Sequence, residues 1–192
     1  SREGTGTLRA TGRTRYGRAR TVSIPVEVKA DHSRDFIIDS DGVLTSYEGA
    51  TSDVVIPDTV TAIGSSAFSK AGSLIRSVHV PASVTQIRAD AFASTSLSSV
   101  TFEDTRTRPS QLTSIGETAF AHVSLETLAL PRSVTTIGAE FIDYNKALTS
   151  LSFGAKVSAE SITSGYAETS ALTSVDVDSA NPNYESVDGV LF

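Results

Sequence analysis

The stretch VVIPDTVTAIGSSAFSKAGSL at 54–74 is followed by VHVPASVTQIRADAFASTSL at 78–97. Pro57 returns as Pro81, Val60 as Val84, Ile63 as Ile87 and Phe68 as Phe92, each 24 residues later. Four anchors at one offset mark an internal repeat, and periods of roughly 20–50 residues signal a stacked architecture. A third copy keeps Leu112, Ile115, Ala119, Phe120 and Leu125, but EDTRTRPSQ at 103–111 replaces its proline turn, an insertion of six residues. A fourth runs from Leu128 and Leu130 through Pro131, Val134 and Ile137 to Leu148, with Phe141 and Ile142 where the others have Ala-Phe. A fifth opens at Leu151 and Phe153 and loses the pattern after Val157; Leu172, Val175 and Val177 begin a sixth strand.

Each unit reads as a strand, a proline turn, a second short extended stretch and a small helical turn around Ala-Phe. Val78 and Val80, Val100 and Phe102, Leu128 and Leu130, Leu151 and Phe153, Val175 and Val177 are spaced two apart. Both members of each pair therefore point inward, with the residue between them facing out. Proline ends the strand because it has no N–H for the ladder. Gly64, Gly116 and Gly138 follow the isoleucine of their repeats, at a bend that glycine makes easily. Arg88 holds that place in the second repeat, so the bend there either has another shape or keeps a negative φ.

One such unit buries too little apolar surface to offset the ordering of its own backbone. Copies must stack, and stacking predicts parallel strands in one continuous ladder. The expected fold is an α/β repeat solenoid, mostly β, with a parallel strand ladder, short helical turns and an N-terminal β-hairpin. The ladder ends need covers, for which the hairpin at 5–29 and FIIDSDGVLTSY at 36–47 are candidates.

The charge divides the chain at Ser33. Residues 1–34 carry seven Arg and one Lys against three acids, whereas 35–192 carry eight bases against nineteen acids. The basic segment, with Arg9, Arg13, Arg15, Arg18 and Arg20, lacks the interleaved aromatics of single-strand nucleic-acid binders, Tyr16 apart. Solvated strand faces explain it better. Val22, Ile24, Val26 and Val28 alternate with Thr21, Ser23, Pro25 and Glu27, the period of a half-buried strand. Leu8 and Ala10 open a matching stretch across a turn at Tyr16-Gly17, which gives an antiparallel hairpin of 5–15 with 19–29.

The whole chain has 192 residues, 39% of them apolar, and a formal charge of -6, which excludes an unfolded polypeptide. Serine (29) and threonine (23) are abundant; Cys, Met and Trp are absent. A disulfide framework, a cysteine zinc site and a thiol nucleophile are thereby ruled out. No apolar run approaches the roughly 18 residues of a membrane span, so no membrane insertion is expected. A first residue of Ser and no Met anywhere suggest a mature or excised piece.

The spacing V-x-I-P-x-x-V-x-x-I-G-x-x-A-F followed by S-L-x-S-V resembles the BspA-like leucine-rich repeats of bacterial surface proteins, over 35–192. The run TLRATGRTRYGRARTVSIPVEVKA at 7–30 resembles the last two strands of a bacterial immunoglobulin-like domain. The resemblances imply a right-handed leucine-rich-repeat stack at 35–192, preceded at 1–34 by a hairpin that is an immunoglobulin-like remnant or an N-terminal cap. DSDGVL at 39–44 and ESVDGVL at 185–191 both resemble the opening of a new block in this family, so the solenoid is expected to be truncated at its C-terminal end. They also imply an extracellular or cell-surface bacterial protein, most simply a monomer. Its work would be adhesion to a host protein, matrix, a glycan or other cells, and the alternative is a passive structural spacer.

On the strand face the outward row is Val55, His79, Thr101, Ala129, Ser152 and Asp176, flanked by Asp53, Ser77, Ser99, Thr127, Ser150 and Ser174. It is small and hydroxyl-rich, without the aromatic and arginine anchors of tight interfaces, and suits weak multivalent contact. His79, Thr101, Ser152 and Asp176 are its candidate ligand-binding residues, against the plainer reading that Ser and Thr serve β-structure and solubility. Arg106 and Arg108 in the inserted loop form a second candidate site.

No nucleophile elbow, phosphate loop, dinucleotide fingerprint or His-Glu-x-x-His motif occurs. His32, His79 and His122 lie in unrelated contexts, and His79 beside Asp53 is at most half of a triad. The turns at Asp39-Ser40-Asp41-Gly42 and at Asp176–Asn183 lack the spaced ligands of a calcium loop and read as Asx turns. No cofactor, no metal, no nucleic-acid partner and no enzymatic activity are expected.

Overall fold

A computed structural model describes residues 4–13, 19–28, 33–158 and 168–192. The chain divides into two compact units, 1–34 and 35–192. In the first, β1 (Gly4–Arg13) and β2 (Ala19–Val28) pair antiparallel in unbroken register from Gly4 opposite Val28 to Arg13 opposite Ala19. The turn at Tyr16-Gly17, the side chains of the five arginines and His32 lie outside the described residues.

The second unit is a mostly β solenoid. It opens with a hairpin, β3 (Phe36–Ile38) antiparallel to β4 (Val43–Tyr47). The turn is fixed by Asp39, whose Oδ1 accepts the N–H groups of Asp41 and Val43 at 2.9 Å each, and by Gly42 at φ 79°. Strands then alternate between two sides of the stack: β5 (Asp53–Val55), β6 (Ala62–Ile63), β7 (Ser77–Val80), β8 (Gln86–Ile87), β9 (Ser99–Phe102), β10 (Ser114–Ile115), β11 (Thr127–Ala129) and β12 (Thr136–Ile137). β13 (Ser150–Phe153) and β14 (Ser174–Val177) continue the first side. A second hairpin, β15 (Ser186–Val187) with β16 (Val190–Leu191), follows, and the Gly189 carbonyl accepts the Val175 N–H at 2.8 Å.

Two ladders result, not one. The strands β4, β6, β8, β10 and β12, the even ladder, form a continuous sheet that β3 extends, β12-β10-β8-β6-β4-β3, parallel except at the hairpin; the strands of the other side, β14 included, make the odd ladder. Leu44, Ile63, Ile87, Ile115 and Ile137 share one row of the even ladder and are all buried. Beside them runs a threonine column. The N–H and the hydroxyl of Thr85 both donate to the Thr61 carbonyl, those of Thr113 to Thr85 and those of Thr135 to Thr113. Much of the threonine is therefore structural: it ties one repeat to the next.

The expected continuous ladder on the other side is broken. Its strands form two three-stranded parallel sheets, β5-β7-β9 and β11-β13-β14. The break coincides with the insertion. Nine positions separate Asp53 from Ala62, Ser77 from Gln86 and Thr127 from Thr136, whereas fifteen separate Ser99 from Ser114. The extra residues leave the sheet at the end of β9, and β9 and β11 do not pair. Val78, Val80, Leu128, Leu130, Leu151 and Phe153 point inward and are buried, as their spacing requires; Val100 and Phe102, at the break, are only half-buried.

The third side carries Ala-Phe and is not helical. Among the described residues, 3-10 turns occur only at Ser33–Asp35 and Ser69–Ala71. Ser66, Asp90, Thr118 and Glu140, each preceding the Ala-Phe position, all have positive φ between 51° and 56°. No glycine stands there. The conformation is held from outside: Ser66, Asp90 and Thr118 donate N–H to Ala89, Glu117 and Ala139 of the following repeat. Phe68, Phe92 and Phe120 do the same to Ala91, Ala119 and Phe141. Such backbone strain persists only where surrounding bonds over-determine it, which is why a helical turn is not adopted. Behind these turns Phe36, Tyr47, Phe68, Phe92 and Phe120 form a file with ring centroids 4.6–5.4 Å apart. Ile142 takes the next place and ends it.

Gly116 and Gly138 are needed for close approach and not for φ. A Cβ on Gly138 would lie 2.4 Å from the Glu117 nitrogen, and one on Gly116 would lie 2.5 Å from that of Ala89. Arg88, which occupies the same place in its repeat, keeps a negative φ.

Candidate functional site

The broken ladder presents the outward row in the order its spacing predicts. Val55, His79 and Thr101 are aligned across β5, β7 and β9, and Ala129, Ser152 and Asp176 across β11, β13 and β14. Asp53, Ser77 and Ser99, then Thr127, Ser150 and Ser174, form the flanking row. The break divides the candidates, with His79 and Thr101 on one half of the face and Ser152 and Asp176 on the other.

Side chains along the rows hold one another. The Ser77 and Ser52 hydroxyls both donate to the Asp53 carboxylate, and these bonds hold its pKa below the ordinary aspartate value, Ser77 contributing most. His79 Nδ1 lies 3.0 Å from Thr101 Oγ1, and Ser174 Oγ donates to Asp176 Oδ2 at 3.0 Å. Asp53 therefore orients hydroxyls and not His79, so the two do not make the base and orienter of a nucleophilic triad.

The inserted loop is internally braced. Thr105 and Arg108 exchange hydrogen bonds, the Ser110 N–H donates to Asp104, and the Ala82 N–H donates to Glu103. Arg108 reaches Asp58 at 3.0 Å and Glu103 at 3.1 Å, pairings that push its pKa up, Asp58 foremost. It is thus a clasp that fastens the loop to the proline turn of the first repeat. Arg106 is exposed at the loop tip and makes no ion pair among the described residues.

Sequence reasoning did not single out the surface pair His122 and Tyr144, which stack with centroids 4.3 Å apart and planes 8° from parallel. Both have positive φ and stand at corresponding places in adjacent repeats, with Ser94 and Glu168 at the same place in others. Aligning the third and fourth copies residue by residue would have put them together. They border a shallow cleft of about 350 Å3 with Val123, Ser124, Lys146 and Ala147. Beneath it Asn145, fully buried, donates to the carbonyls of Phe120 and Ile142 at 2.7 Å each.

Among the described residues no three His, Asp or Glu side chains come together as a metal site. No helix there is long and apolar enough to cross a membrane.

The repeat geometry has a match in sequence. The BspA type leucine rich repeat region, in six copies, matches residues 46–159 and 104–186. The chain belongs to the BspA-type leucine-rich repeat family. The match begins at residue 46 and does not bear on the immunoglobulin-like resemblance at 7–30. A search of the curated proteins found no match. Among solved structures the BspA-type chain is similar to a Treponema pallidum leucine-rich repeat protein (23% identity, TM-score 0.61), covering 77% of this chain and 71% of that one. It is similar to the pneumococcal vaccine antigen PcpA (24% identity, TM-score 0.57), covering 78% of this chain and 46% of the other. A leucine-rich repeat protein from Eubacterium ventriosum gives 24% identity and a TM-score of 0.55, covering 81% and 44%. The chain spans about half the length of PcpA and of the Eubacterium protein. These likenesses show the fold, and the BspA-type family is one of protein-binding and structural modules.

Proposed function

We propose that this chain is a non-enzymatic binding module of a bacterial cell-surface or secreted protein, and that its partner is a surface protein or glycan of a host or of other bacteria. The observation that supports this reading best is the fixed state of the ladder face. Asp53, Ser77, His79, Thr101, Ser174 and Asp176 are already hydrogen-bonded along or between the two rows, so little side-chain freedom remains to be lost on contact. Family membership and the exposed Arg106 in the inserted loop support it further.

A passive spacer is the second reading, favoured by the absence of aromatic or arginine anchors on the face itself. To separate the two, the immobilised chain is exposed to matrix proteins, mucin and a glycan array beside a variant carrying His79→Glu, Thr101→Glu and Ser152→Glu. Binding by the native chain that the variant loses supports a module acting through the ladder. Binding that survives in the variant but fails in Arg106→Glu moves the site to the loop. No binding by either chain favours the spacer.

A further inference from the structure

We infer that the break between β9 and β11 is a hydrated hinge that lets the first three repeats tilt against the later ones, with the ladder of even strands as its spine. In a parallel sheet the N–H and C=O of one residue point to the same neighbour and those of the next residue to the other. Ser99 and Glu103 donate to β7 and its end, at Arg76 and Val80, and Leu130 donates to Ser152 of β13. The peptide groups of Val100 and Phe102 therefore face those of Thr127 and Ala129 across the break, where no ladder joins the two strands. Polar backbone groups without a protein partner take water, and Val100 and Phe102 beside the break are only half-buried.

A second sign lies in the adjoining proline turn. Ser83 Oγ donates to the Val60 carbonyl of the preceding repeat at 2.8 Å. Ser133 occupies the same place in the fourth repeat, where the insertion has replaced the turn below it, and its buried hydroxyl has no protein partner.

The other two sides are fastened across the same step. Ile115 and Ile137 pair in the even ladder, and Thr118, Phe120 and His122 donate N–H to Ala139, Phe141 and Asp143. Asn145 bonds the Phe120 carbonyl, and the His122 and Tyr144 rings stack over it. One side, joined across this step by the Ser124 N–H to the Leu97 carbonyl at 2.9 Å but by no strand ladder, and two closed sides make a one-sided hinge. The inserted loop moves with the first three repeats, because Arg108 holds only Asp58 and Glu103.

Amide hydrogen exchange on the full chain tests the break. Val100, Phe102, Thr127 and Ala129 are expected to be roughly 100-fold less protected than Thr101 and Leu128 beside them. Protection equal to those neighbours overturns the inference. Deleting Asp104–Pro109 restores the nine-residue spacing and is expected to bring the four amides to the level of Thr101; amides that stay fast in a folded deletion overturn the insertion as the cause. If the deletion does not fold, paired spin labels on the otherwise native chain decide. The protein has no cysteine, so Val55→Cys with Thr101→Cys reports within one half and Thr101→Cys with Ser152→Cys reports across the break. A distance distribution about twofold broader across the break supports a hinge, and equal widths overturn it whatever the exchange shows.

Discussion

The two ladders of the solenoid are made by the same repeats, yet one runs unbroken from β4 to β12 and the other divides between β9 and β11. Both meet the same six extra residues. The even ladder survives because the insertion lies upstream of β10, and the chain rejoins the stack at Gln111, whose N–H donates to Ala82. Thr113 then bonds Thr85 as if nothing had intervened. The odd ladder fails because the chain leaves it at Phe102 with no proline turn to bring it back. In a stack of this kind a repeat tolerates added length on one side as long as the next side recovers its register.

That comparison is sharpest within the third repeat, which contributes one strand to each ladder. Ile115→Ala removes a buried side chain paired above and below, and is expected to cost about 3–4 kcal/mol in denaturant unfolding. Val100→Ala, at the open edge, is expected to cost about 1 kcal/mol, less than a fully buried residue would. Equal losses would mean that the odd ladder is as tightly packed at the break as the even one.

A smaller effect tests why the even ladder closes. Gly138→Ala brings a Cβ against the Glu117 backbone, and a loss of about 1–3 kcal/mol is expected from overpacking. No loss in the melting curve would show that the backbone yields there.

The smallest expected effect concerns the odd ladder's outer row. The Ser77 and Ser52 hydroxyls hold the Asp53 carboxylate below its ordinary pKa. The stability they add is complete above that ordinary value, near about 4, and disappears as pH falls through the lower value of the folded state. Comparing melting temperatures at pH 7 and pH 3, Asp53→Asn is expected to lose slightly less on acidification than the native chain. The difference is small because the group is exposed. A variant as acid-sensitive as the native chain would remove Asp53 from the row's stabilising bonds.

Burial left a clear mark on the sequence. Ile63, Ile87 and Ile115, or Phe68, Phe92 and Phe120, recur because each occupies the same enclosed place, and those anchors foretold both the stack and the outward rows. The even ladder was harder to see as a sheet, since β6, β8, β10 and β12 have only two residues each, too few to show an alternation. The backbone conformation of the third side was not legible, although its Ala-Phe anchors were. Ser66, Asp90, Thr118 and Glu140 share a backbone conformation but no side-chain chemistry, because bonds from the next repeat impose it. For the candidate site, the position of every row residue was readable, but its hydrogen-bonded state was not. Nothing local to Arg108 announces that Asp58, in the first repeat, lies within its reach.

The bonds that Ser66, Phe68, Asp90, Phe92, Thr118 and Phe120 make across repeats on that third side run one way, from the N–H of one repeat to the carbonyl of the next. In an ordinary sheet the peptide dipoles alternate and nearly cancel. Here they add along the axis of the stack, as they do in a helix. On this side the amide-positive pole lies toward the later repeats, and the threonine column, whose N–H groups donate from each repeat to the one before it, opposes it on the even ladder.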